Sequence, residues 1–130
     1  MKKLSYRYRP LCAAVCLSML SLAAPLASRA ADDASMRAET GGERASFAQT
    51  FCGVSPERVS DYKERLRKVL TDASDFDQHW DAGWHRGENI NSQMNALREQ
   101  DPKEFAARIK VNCERLKWLA GNALRPSAPK

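Results

Sequence analysis

From Val59 to Trp84 the apolar residues Val59, Tyr62, Leu66, Val69, Leu70, Ala73, Phe76, Trp80 and Trp84 make one stripe at spacings of three and four. That period belongs to an amphipathic α-helix and not to a strand, whose apolar residues alternate. No alternating run of strand length appears elsewhere in the 130 residues, so the chain is expected to be all-α. Ser55-Pro56-Glu57 opens the segment with a capping hydroxyl, a proline suited to the first turn and an acid at the positive helix end. Because the stripe keeps its phase, it predicts one long helix, with a weak point at Thr71–Asp75 where small polar side chains compete for the backbone.

The cap and proline recur at Asp101-Pro102 and predict a last helix running to about Ala120, with Phe105, Ile109, Leu116 and Leu119 on its buried face. Gly121 is placed as its end, and the segment 122–130 as a disordered tail. Ile90, Met94 and Leu97 carry a helical spacing between these two, with a turn expected around Gly87–Asn91. Upstream, Phe47, Ala48 and Phe51 mark a short helix over 44–51, closed by Gly53. Residues 31–43, small and polar, read as a flexible leader. The architecture expected is a small antiparallel helical hairpin or bundle of three to four helices within 44–121.

The first thirty residues read as an address. Lys2, Lys3, Arg7 and Arg9 precede a small, apolar run at 11–27, and Ser28 and Ala30 stand at −3 and −1 of a cut before Ala31. This is the three-part pattern of a secretory signal peptide. Its compact basic start and alanine-rich core point to bacterial export into the periplasm. The competing reading is an uncleaved anchor, for which a run of about 17 residues with two serines and a proline is at the short edge of a span. Contact with a membrane is otherwise expected only transiently, through the signal.

Removal of residues 1–30 changes both charge and thiol count. Five of the 21 basic residues and none of the 16 acids lie there, which leaves 16 of each and a net charge of zero. A neutral domain gives no electrostatic case for nucleic acid. Cys12 and Cys16 leave with the signal, and Cys52 and Cys113 remain. Two thiols in an oxidising compartment, without a Cys-x-x-Cys spacing, predict one structural disulfide. Chain entropy assigns a loop of that length about 4 kcal/mol.

Two places stand out as candidate sites. The segment 76–88 holds both histidines and two of the three tryptophans. On a helix Asp77, Asp81, His85 and Glu88 fall within about 40° of a common line, a donor set that could hold a divalent metal, while Trp80 and Trp84 could line a ligand recess beside them. His79 lies about 160° from that line and cannot join His85 at one metal. The competing reading makes the aromatics core and the polar strip an ordinary solvated flank. Gly83 and Gly87 would admit another helix at short range.

The second place is the pair Val111 and Trp118. Seven apart, they sit about 120–140° away from Phe105, off the expected buried face and among charged residues. They are either covered by Phe47 and Phe51 or form a partner surface, with another protein or a second copy as occupant. No nucleophile motif, glycine-rich phosphate loop or paired-histidine motif occurs, and no cofactor is expected. The reading is a small exported non-enzymatic module for protein–protein interaction, chaperone-like or inhibitory in kind. The alternative is a metal- or ligand-binding protein built on 76–88.

Overall fold

The computed structural model describes residues 26–126, and these form four helices packed together: α1 (Leu26–Phe51), α2 (Pro56–Val69), α3 (Phe76–Gln100) and α4 (Pro102–Ala123). The Cys52–Cys113 disulfide is formed, with the two Cα atoms 5.5 Å apart. Residues 1–25, which include most of the signal-peptide reading, and 127–130 lie outside the described residues.

The starts of α2 and α4 are those written in the sequence. Ser55 caps α2 by accepting from the Arg58 amide, and Asp101 caps α4 by accepting from the Glu104 amide at 2.9 Å. Gly53 ends α1 with φ of 66°, in the left-handed region that suits glycine, while the Val54 amide reaches back to the Ala48 carbonyl.

Four expectations change. The leader 31–43 is not flexible; it is the first half of α1, which also absorbs the predicted 44–51 helix, and Ala34 and Ala38 on it are buried. The predicted long helix is broken. Leu70 leaves the helical conformation, residues 71–75 turn, and Asp75 enters α3 with φ of 54°. Thr71, Asp72 and Ser74 supply the polar side chains that favour such a turn over a helix. The turn at Gly87–Asn91 is absent, and α3 runs through it. Gly121 does not stop α4, which continues to Ala123; Ala123 and Leu124, expected in the tail, pack against the core.

Small residues explain the first and third corrections. Pairs of facing residues rise together along α1 and α3 (Glu39 with Gly83, Glu43 with Gly87, Thr50 with Asn91), so these helices run parallel. They pack so closely that a Cβ on Gly83 would overlap the Glu39 carbonyl oxygen and stand 2.6 Å from its carbon. A Cβ on Gly42 would overlap the Trp80 carbonyl oxygen, and one on Gly87 would lie 2.7 Å from both the Glu43 oxygen and Ser46 Cβ. Helix–helix contact at this range needs missing side chains on both partners. Its gain is dispersion between backbones rather than burial of large apolar groups.

Around this pair sits the core: Ala34, Ala38, Ala45, Val59, Leu66, Leu70, Phe76 and Trp80. The α2–α3 hairpin is antiparallel, with Tyr62 beside Trp80 and Arg67 stacked 4.6 Å over Phe76. One polar cluster is buried in the seam. Asn91 Nδ2 donates to Thr50 Oγ1 at 2.9 Å and to Ser46 Oγ at 3.2 Å, and Thr50 Oγ1 donates to the Ser46 carbonyl. These bonds form in one register of α3 along α1.

The last helix stands apart from this arrangement. Its apolar residues Phe105, Ile109, Leu116 and Leu119 are only half-buried, and no residue of α4 is fully buried. The disulfide, an edge-on contact of Phe105 with Phe51 at 5.7 Å and the Arg37 guanidinium donating to the Ala123 carbonyl at 3.2 Å hold it.

Candidate functional site

The acidic segment of α3 is engaged within the protein. Asp77 accepts two hydrogen bonds of 2.8 Å from Arg67 and lies 2.9 Å from Lys63, both on α2. Lys63 also approaches Asp81 at 3.8 Å. The hydrogen bonds from Arg67, then from Lys63, hold the Asp77 carboxyl well below the usual carboxylate range. Further along, His85 Nδ1 lies 2.8 Å from Glu88 Oε2, and the Trp84 indole donates to Glu88 Oε1 at 3.2 Å. The hydrogen bond with His85, aided by that from Trp84, lowers the Glu88 pKa.

The predicted donor set therefore divides into two pairs of contacts. Asp77 and Asp81 face the cations of α2, while His85 and Glu88 pair with each other. Among the described residues no three His, Cys, Asp or Glu side chains come together as a metal site. Sequence periodicity placed them on one line of α3 but could not show that α2 folds back and lays Lys63 and Arg67 across that line. Trp80, expected as a ligand-lining residue, is only 3% exposed and belongs to the core; Trp84 is half-buried against it.

The second candidate has a different fate. Phe47 is buried, with its ring 5.0 Å from Phe51, and Phe51 turns its ring to Phe105. Neither covers the outer side of α4. Val111 is 62% and Trp118 67% exposed, and with Met36 they are the exposed large apolar side chains of the described residues. Ala107, Glu114 and Gly121 fill the same face and are exposed too.

Beside this face lies a feature that sequence reasoning missed. A cleft of about 230 Å³ opens between α4, α1 and α3, lined by Phe47, Ile90, Leu116 and Leu119 together with Glu43, Arg44 and Arg115. Going round α4, Leu116 and Leu119 face the cleft, Arg115 stands next to them, and Val111 and Trp118 follow within about 60°. Cleft and strip thus form one continuous side of the helix. The signal for it in the sequence is slight: the α4 apolar face is broad, and among the described residues no helix covers all of it.

No protein-family model, no curated protein and no solved structure matches this chain.

Proposed function

We propose that the protein is an exported, disulfide-braced helical module that acts without catalysis, by binding another protein through the outer side of α4. The observation that carries this reading is the exposure of Val111 and Trp118 on a helix that contributes no buried residue. Burying the apolar surface of Val111 and Trp118 against a partner is favourable, and tryptophan is among the residue types enriched at binding hot spots. The adjoining cleft offers a recess for one apolar side chain of the partner. Chaperone-like holding or inhibition of an enzyme both fit such a surface.

Two observations support export. The predicted cut before Ala31 falls beside exposed Ser28, Arg29 and Ala30, ahead of buried Ala34. An intramolecular disulfide suits an oxidising compartment. No helix of the described residues is long and apolar enough to cross a membrane.

Native mass spectrometry of the protein, isolated gently from a periplasmic extract without chelator or reductant, tests the reading. The expected spectrum starts at Ala31, lacks two hydrogens for the disulfide, and shows a protein adduct that Trp118→Arg removes without altering the fold. An adduct indifferent to Trp118→Arg, or a metal in place of a protein, would overturn it.

A further inference from the structure

The overall neutrality of residues 31–130 conceals an uneven distribution of charge. Helix α4 carries five basic residues and two acids. Lys103, Lys110 and Lys117 recur every seven residues along one edge of the Val111/Trp118 strip, and Arg108 and Arg115 along the other. All five are exposed. Arg108 pairs with Glu104 at 2.6 Å. Lys103, Lys110, Arg115 and Lys117 make no ion pair among the described residues, in contrast to the cations of α2 and α3 that join helices, Lys63, Arg67 and Arg86.

From this pattern we infer that the outer side of α4 docks an acidic amphipathic helix of another protein, a conclusion that rests on the interaction reading above. An apolar strip with charged rows on both edges is the face of a helix prepared for a helical partner. Here both rows are basic, so the matching partner carries apolar residues at spacings of three and four with Glu or Asp beside them. One apolar side chain enters the cleft next to Leu116 and Leu119, and its carboxylates meet Arg115 and the lysine row.

The same charges argue against the other occupants. A second copy packed face to face would bring basic rows against basic rows in either orientation. A second copy offering a different face would bring exposed carboxylates such as Asp32, Asp33, Asp61, Asp72 and Glu99, but among the described residues Met36 is the one exposed large apolar side chain outside α4, and it makes no strip to match Val111 and Trp118. Glu114 stands exposed between Val111 and Trp118 and weighs equally on any anionic occupant, but a lipid surface has only those two large apolar side chains to anchor it and supplies no side chain to enter the cleft beside Leu116 and Leu119.

The test is a calorimetric titration of the exported, oxidised protein with two synthetic helical peptides, each three heptads long with Leu along the seam. One has Glu on both flanks and the other has Lys. The acidic peptide is expected to bind at least about tenfold more tightly, with an affinity that falls as salt rises. The charge reversal Lys110→Glu, Arg115→Glu, Lys117→Glu should abolish that preference, and the neutral Gln triple variant should reduce it, both with the wild-type unfolding midpoint. Equal binding of the two peptides, or no binding of the acidic one, overturns the inference. So does binding to vesicles of phosphatidylglycerol and phosphatidylcholine without binding to the acidic peptide. If the charge-reversed protein keeps the native adduct that Trp118→Arg loses, the interaction reading stands and the acidic partner falls; loss of neither adduct means both fall.

Discussion

Replacing Gly83 by alanine and Gly121 by alanine should move stability in opposite directions. Both glycines lie inside helices, so helix propensity alone favours each change by about 1 kcal/mol. At Gly121 nothing lies within 4 Å of the new methyl group, and the gain should survive as about 0.5–1 kcal/mol. At Gly83 the methyl overlaps the Glu39 carbonyl oxygen. The obstacle is backbone and cannot rotate away, so α1 must retreat as a unit. That retreat also loosens Gly42 against Trp80 and stretches the hydrogen bonds of Asn91 to Ser46 and Thr50. Overpacking of this kind costs about 3 kcal/mol, the upper part of its usual range, against the propensity gain of about 1. The net loss is about 2 kcal/mol, or roughly 8–16 °C in Tm for a domain of this size. Urea unfolding of the two oxidised variants, followed by circular dichroism, measures both. A Gly83→Ala protein as stable as wild type, or more so, would refute the close parallel packing of α1 and α3.

Other outcomes follow from the same geometry. Removing both Cys52 and Cys113 by serine substitution should cost about 4 kcal/mol, and hydrogen exchange should locate the largest loss of protection in α4, which has no buried residue to hold it. Asn91→Ala should cost about 1–2 kcal/mol in equilibrium unfolding, because the Ser46 hydroxyl, buried in the α1–α3 seam, loses its donor. For Asp77 the folded pKa lies below its ordinary value of 3.8. Its contribution to stability is therefore complete above pH 4 and is lost progressively as the pH falls below that value. Asp77→Asn should flatten the acid side of the stability–pH profile, and an unchanged profile would contradict the α2–α3 ion pairs. Trp118→Arg should leave the unfolding midpoint within about 0.5 kcal/mol of wild type, as befits an exposed position.

Much of the fold was legible in the sequence. Ser55-Pro56 and Asp101-Pro102 start helices because a capping oxygen and a fixed φ act locally, whatever the rest of the chain does. The cysteine pairing followed from the count left by the expected signal cut and the absence of a Cys-x-x-Cys spacing. Gly83 and Gly87 hinted at a close helix, which proved to be α1. The first half of α1 was hidden because Ala34, Ala38, Gly41 and Gly42 carry little hydropathy; their burial comes from proximity to α3 and leaves no apolar stripe. The break at Leu70–Asp75 was hidden for a different reason. Leu66 on α2, Leu70 just past its end, and Phe76 and Trp80 on α3 all face one core, so the stripe keeps its phase across a turn. Of the candidate sites, the helical angle that set Val111 and Trp118 apart from Phe105 was readable. The division of Asp77, Asp81, His85 and Glu88 was not, since it depends on how α2 returns over α3.

Site-specific photo-crosslinking at position 118 in living cells addresses the interaction surface most directly. A photoreactive residue replaces Trp118 in one strain and exposed Arg65, on α2, in another. The account predicts a discrete protein adduct from position 118 that is absent from position 65. Equal labelling from both positions, or none from 118 while the protein is folded and oxidised, would contradict it.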